Sequence, residues 1–227
     1  VGMTIPFGIA LAALITGRLS PTLLGTLRTS MLAPWTFLTV AVVLGGWWAY
    51  EVLGWGGYWA WDPVENASLL PWLTGTAAVH SAILTERRGV LKGWTLSLVI
   101  ASFLLTILGT FMTRSGIFNS VHAFSQSEIG PTILAFLATA TIASVLLLGF
   151  RVDLLKPDHE LDRGASRDTA FLAQNLLFVL FTFTVLIGTV FPLIVEAVRK
   201  VQMSVGRPYF DRMTIPIGAL ILFVMGV

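Results

Sequence analysis

Five stretches of this chain, residues 31–53, 62–84, 95–113, 131–150 and 169–194, are long and apolar enough to cross a bilayer. Most match the ~17 to 25 residues that a transmembrane helix needs. A backbone in hydrocarbon must satisfy its own N–H and C=O groups, so segments of this kind are expected to be helical. Residues 1–17 and 215–227 are apolar but shorter. The pattern predicts an all-α, polytopic transmembrane helix bundle, with about five complete spans and partial spans at both ends. Val1 follows no charged leader and the final run stops short of a span, so the chain reads as an internal stretch of a longer protein. With 56% hydrophobic and 11% charged residues and a mean hydropathy of +0.84, a soluble domain is excluded. A net charge of +2 with a pI near 9.3 reflects few carboxylates and predicts no nucleic-acid partner. Cysteine is absent, so disulfides, thiolate ligands and CxxC redox chemistry are excluded for this chain.

Lysine and arginine favour cytoplasmic loops. One set of loops holds Arg18, Arg28, Arg87, Arg88, Lys92, Arg151, Lys156, Arg163 and Arg167. The opposite set holds Arg114 and, in the last loop, Arg199, Lys200, Arg207 and Arg212. This asymmetry predicts a multi-pass protein of the cell inner membrane. Residues 1–227 are expected to form one domain, with a motif at 54–65 and a loop at 114–130 facing the periplasm and a loop at 151–168 in the cytoplasm. No internal repeat is visible.

The motif is Trp55-Gly56-Gly57-Tyr58-Trp59-Ala60-Trp61-Asp62-Pro63-Val64-Glu65. In an extended run, side chains two apart share a side. Trp55, Trp59 and Trp61 would then project together as a ledge for a planar aromatic ligand, with Gly57 leaving a gap. Stacking on indole adds roughly 0.5 to 1.5 kcal/mol per pair beyond area burial. Tryptophans also gather at membrane interfaces as ordinary belts, and Trp35 and Trp94, near the other face, read that way. Trp47, Trp48, Trp55, Trp59, Trp61 and Trp72 instead crowd around one loop. Asp62, Pro63 and Glu65 also have the spacing of a helix N-cap, a first helical proline and a capping box.

Three histidines are present. His80 sits in an apolar span; an ionisable group at that depth is a functional candidate by default, and imidazole is a common haem-iron ligand. The alternative is a core histidine bonded to a serine or a backbone carbonyl. Eighteen residues separate it from Asp62, or ~27 Å of helix, so it is too deep to serve a ligand resting on the tryptophans. His122 follows Phe118 by one helical turn in the outer loop and reads as a nitrogen ligand level with the tryptophans, or as an exposed interfacial histidine. Arg114, on the same side, could pair with a propionate or reach for headgroups. His159 lies among charges and reads as solvated.

The pattern W-G-x-x-W-x-W-D-x-x-E resembles the tryptophan-rich signature of the haem-handling membrane proteins that assemble c-type cytochromes. Within that superfamily the chain is most similar to the CcmF-type haem lyase family. Met3-Thr4-Ile5-Pro6-Phe7-Gly8, Val79-His80-Ser81, Thr113-Arg114-Ser115-Gly116, Val121-His122-Ala123-Phe124 and Ser204-Val205-Gly206-Arg207-Pro208-Tyr209-Phe210 carry the likeness. Asp211 departs from it, since Asn is expected after Tyr-Phe.

The resemblance implies two haem sites. Outside, a substrate haem brought by a holo haem chaperone would bind at Trp55, Trp59, Trp61 and Asp62, with Arg114 nearby and His122 on the iron. Within the membrane, His80 would be one ligand of a permanent b-type haem that relays electrons, with quinol as the source. The implied activity is that of a holocytochrome c synthase, or cytochrome c haem lyase, subunit. Its partners would be apocytochrome c with a CxxCH segment and other cytochrome c maturation subunits. No catalytic residue beyond haem positioning is implied. The rival readings are a secondary transporter or proton-conducting subunit with His80 as relay, and a structural subunit. Proton pathways normally use carboxylates, and no span carries one away from its ends.

Overall fold

The computed structural model describes residues 2–54, 57–115, 129–159, 166–201 and 203–226. Among them are seven α-helices and no strand: α1 (Thr4–Thr16), α2 (Pro21–Val52), α3 (Pro63–Arg88), α4 (Lys92–Arg114), α5 (Gly130–Phe150), α6 (Arg167–Arg199) and α7 (Arg207–Met225). All but α1 are long and apolar enough to cross a membrane. The five expected spans are present. The C-terminal one starts eight residues earlier than expected, because Arg207, Asp211 and Arg212 depress the hydropathy of its first two turns, which are nevertheless helical and braced by an Arg207–Asp211 pair at 3.1 Å.

Helix ends follow local chemistry. Ser20 accepts from the Leu23 N–H at 3.2 Å and Pro21 opens α2; Ser166 and Thr169 cap α6 reciprocally. Gly89 ends α3 at φ +65°, a left-handed conformation that glycine adopts without steric cost.

The core is built around α3, which packs on α2, α4 and α6, while α7 lies on α6 and α5 lies on α4. Small and hydroxylated residues let these helices approach, as is usual in membranes. Ser81 and Thr85 both bond Thr95 of α4 (2.7 and 2.6 Å), and Ser102 donates to Thr74 (3.0 Å). Toward α2 the contacts are reciprocal. The Trp35 indole donates to Thr76 and the Trp72 indole to Thr39, both at 2.8 Å. Each of these threonines gives its own hydroxyl hydrogen to the carbonyl of the tryptophan one turn earlier in its helix. Trp35 is therefore an interhelix contact, not the belt residue expected, and Trp72 belongs to the same contact instead of the outer loop.

The α3–α6 contact is a seam with alternating four- and three-residue steps, the spacing of helices that interlock side chains along their length. On α6 it comprises Phe171, Asn175, Phe178, Thr182, Val185 and Thr189, all buried or half-buried. The helices run antiparallel: Asn66 near the start of α3 donates to Thr189 (2.9 Å), and Arg88 at its end pairs with Asp168.

Candidate functional site

The loop after α2 ends on a complete capping box. Asp62 accepts from the Val64 N–H (3.0 Å), and Glu65 reaches back to the N–H groups of Ala60 (2.9 Å) and Asp62 (3.2 Å). Tyr58 stacks on Tyr50 of α2 with ring centroids 4.5 Å apart and planes 12° apart. Close approach is possible because Gly46 lacks a Cβ, which would lie 3.1 Å from the Tyr58 carbonyl. Trp55 lies outside the described residues.

The extended run expected here ends at Trp61, whose φ is +60°. A bulky residue rarely adopts that conformation, and its surroundings must hold it there. Asn66 donates to the Trp61 carbonyl (3.2 Å), and the indole N–H donates to Asp211 (2.8 Å). The indole face lies on Phe210 of α7 at 5.0 Å and 10°. Trp59 then meets Trp61 edge to face, 6.1 Å apart at 85°, so the two form a corner instead of a flat ledge. One face of Trp61 is already taken. The Trp59 indole N–H is buried with no hydrogen-bond partner.

Phe210 and Asp211 are site residues that sequence reasoning missed as such. Asp211 bonds Trp61 through Oδ1 (2.8 Å) and the Arg207 guanidinium through Oδ2 (3.1 Å). An asparagine could accept from only one of these donors, which gives the departure from the family pattern a physical consequence. Gly188 of α6 makes room for the stack; a Cβ there would meet Phe210 ring carbons at 2.7 and 2.8 Å.

Helix alternation puts the end of α4, and with it exposed Arg114, on the same side as this loop. His122 lies outside the described residues. His80 stands apart, ~27 Å along α3 from the cap. Its ring contacts Phe171 (5.7 Å, 63°) and Phe178 (6.1 Å, 45°), and its Nδ1 is buried without a hydrogen-bond partner. No cluster of three or more metal-binding side chains occurs among the described residues.

The opposite side is rich in charge pairs. Arg28 bonds Glu86 (2.6 Å) and Lys92 bonds Asp158 (2.6 Å), while Arg151 donates to the last carbonyls of α1, Leu14 and Ile15, at 2.7 Å each. A hydrogen bond and the charge of Lys156 hold the Asp153 carboxyl below its ordinary value. His159 is exposed.

Residues 2–118 match the family described as Cytochrome C assembly protein. Over 228 residues the chain is 46% identical to the cytochrome c-type biogenesis protein CcmF of Pseudomonas aeruginosa, covering 100% of this chain and 35% of that protein. Over 214 residues it is 44% identical to CcmF of Escherichia coli, covering 94% and 33%. A solved structure, Cytochrome c Heme Lyase CcmF, aligns with a TM-score of 0.78 at 38% identity, over 99% of this chain and 33% of that one. The chain spans about a third of the length of these relatives. It belongs to the cytochrome c assembly protein family.

Proposed function

We propose that this chain is the haem-handling part of a protein that attaches haem to apocytochrome c at the outer face of the bacterial inner membrane. The observation that carries this reading is the anchoring of the tryptophan loop. A belt tryptophan needs only headgroups, whereas here Trp61 is tied to α3, α7 and, through Asn66 and Thr189, to α6. Such a loop is preorganised, which lowers the ordering cost of binding a rigid ligand.

A substrate haem, received from a holo haem chaperone, is taken at Trp55, Trp59 and Trp61. Trp61 serves chiefly to fix Trp59, and Asp62 to fix the loop. His122 binds the iron and Arg114 pairs with a propionate. Each thiol of the apocytochrome CxxCH segment then adds across a haem vinyl group, sulfur to one carbon and hydrogen to the other, with no net gain or loss of electrons. Other maturation subunits present the apocytochrome.

The surroundings of His80 suit a b-type haem: an imidazole on an apolar helix face, flanked by two phenylalanines, with a ring nitrogen still lacking its partner. Such a haem would supply one-electron transfer from quinol to keep the outer iron reduced. His80 would hold the iron from this chain, and Phe171 and Phe178 would exclude water. Purified full-length protein tests this directly. A b-type visible spectrum lost in His80→Ala is expected, and a colourless wild-type protein refutes the reading. In His122→Ala, c-type cytochrome assembly should stop while the membrane-haem spectrum survives.

A further inference from the structure

The register of the α3–α6 seam can be followed layer by layer from its upper pin. Asn66 bonds Thr189. Four residues further down α3 and four back along α6, Leu70 and Val185 share one apolar cluster. Matching steps of three and four lead to Leu73 opposite Thr182 and Ala77 opposite Phe178, and the next step of three sets His80 opposite Asn175. The ring contacts of His80 agree, since Phe178 and Phe171 flank Asn175 one step to either side. At the far end the same steps set Arg87 opposite Asp168, and the pair to Asp168 is made by the next residue, Arg88, whose long side chain spans the offset.

That layer holds two unmet hydrogen-bonding groups. Asn175 is 0% exposed, and neither its Oδ1 nor its Nδ2 has a partner; His80 Nδ1 is sealed in the same way. Leaving a buried amide unsatisfied is costly, and hydrocarbon offers no substitute. A donor on one helix and an acceptor on the other, in one layer, are chemically complementary.

We infer that Asn175 is the positioning residue for His80: the two are not hydrogen-bonded to each other in the structure, and the Asn175 side-chain carbonyl accepts from Nδ1–H across one water, so that Nε2 is the nitrogen presented to iron. This rests on the reading of His80 as a haem ligand. Iron-bound histidines almost always donate their second ring N–H, and losing that acceptor weakens metal affinity about 10- to 100-fold. The bond also makes the imidazole a stronger donor and so favours ferric iron.

The test uses full-length protein carrying Asn175→Leu, with Thr182→Val, two layers up the seam, as a packing control. Haem transfer to excess apomyoglobin is expected to be about 10-fold faster or more in the leucine variant, with an upward shift in the midpoint potential of the b-type haem. Thr182→Val should move neither. If Asn175→Leu does not accumulate, Asn175→Ala gives the same two readouts. Wild-type protein without haem, or haem retained in His80→Ala, sinks the ligand reading itself. Haem lost in His80→Ala but held normally and at unchanged potential in Asn175→Leu or Asn175→Ala overturns only the role of Asn175.

Discussion

Glu65→Ala isolates the contribution of the capping box to the outer loop. Glu65 is 8% exposed, and its Oε2 takes the N–H groups of both Ala60 and Asp62. Hydrogen bonds to a charged group contribute about 1.5–3 kcal/mol each. The loop lies at the bilayer surface, where water can recover part of the loss, so a destabilisation of roughly 3 kcal/mol is expected, near the lower limit for two bonds. Glu65→Gln keeps a neutral oxygen that can still accept from both N–H groups but removes the charge that strengthens them, and should cost about 1 kcal/mol. The assay is SDS unfolding of the full-length protein in micelles, followed by tryptophan fluorescence, with hydrogen exchange at Ala60 and Asp62. Faster exchange at these two amides, with α3 amides below the first turn unchanged, is the expected pattern. A loss under about 0.5 kcal/mol, the scale of a neutral surface change, or unchanged exchange at both amides, would refute the assignment.

Gly188→Ala places a methyl group against the Phe210 ring, and overpacking of this kind costs about 1–3 kcal/mol; a normal unfolding midpoint together with an unchanged Trp61 environment would contradict the stack. Trp59→Ala should reduce retention of substrate haem more than Trp94→Ala, and equal losses would restore a lipid-belt role for Trp59. Asp211→Asn should keep the Trp61 bond but release Arg207, leaving stability within about 1 kcal/mol because the Arg207 pair is exposed. Asp211→Leu should cost more, and equal effects of the two would show that the indole bond contributes nothing.

Hydropathy made the spans legible because a long apolar run has few other fates. The capping box was legible too, since Asp62, Pro63 and Glu65 are neighbours whose chemistry is local. The partner of Trp61 was not. Asp211 lies 150 residues away, and no periodicity links a loop indole to the start of a distant helix. The start of α7 was obscured by the charges of its first two turns. Composition grouped Trp72 with the loop and Trp35 with a belt, because an indole bonded to a threonine in a neighbouring helix has the same one-letter signature as one bonded to a headgroup. The spacing of Phe171, Asn175, Phe178 and Thr182 was visible in principle as a four-three repeat, but only a paired helix shows which histidine it faces.

The crossed Trp35–Thr76 and Trp72–Thr39 bonds act as a vernier lock. Sliding α2 against α3 by one turn would strand both indole N–H groups at a depth where lipid tails offer no acceptor. The height at which α2 delivers the chain to its outer turn is therefore set from deep within the bilayer, far from the surface where that height is used.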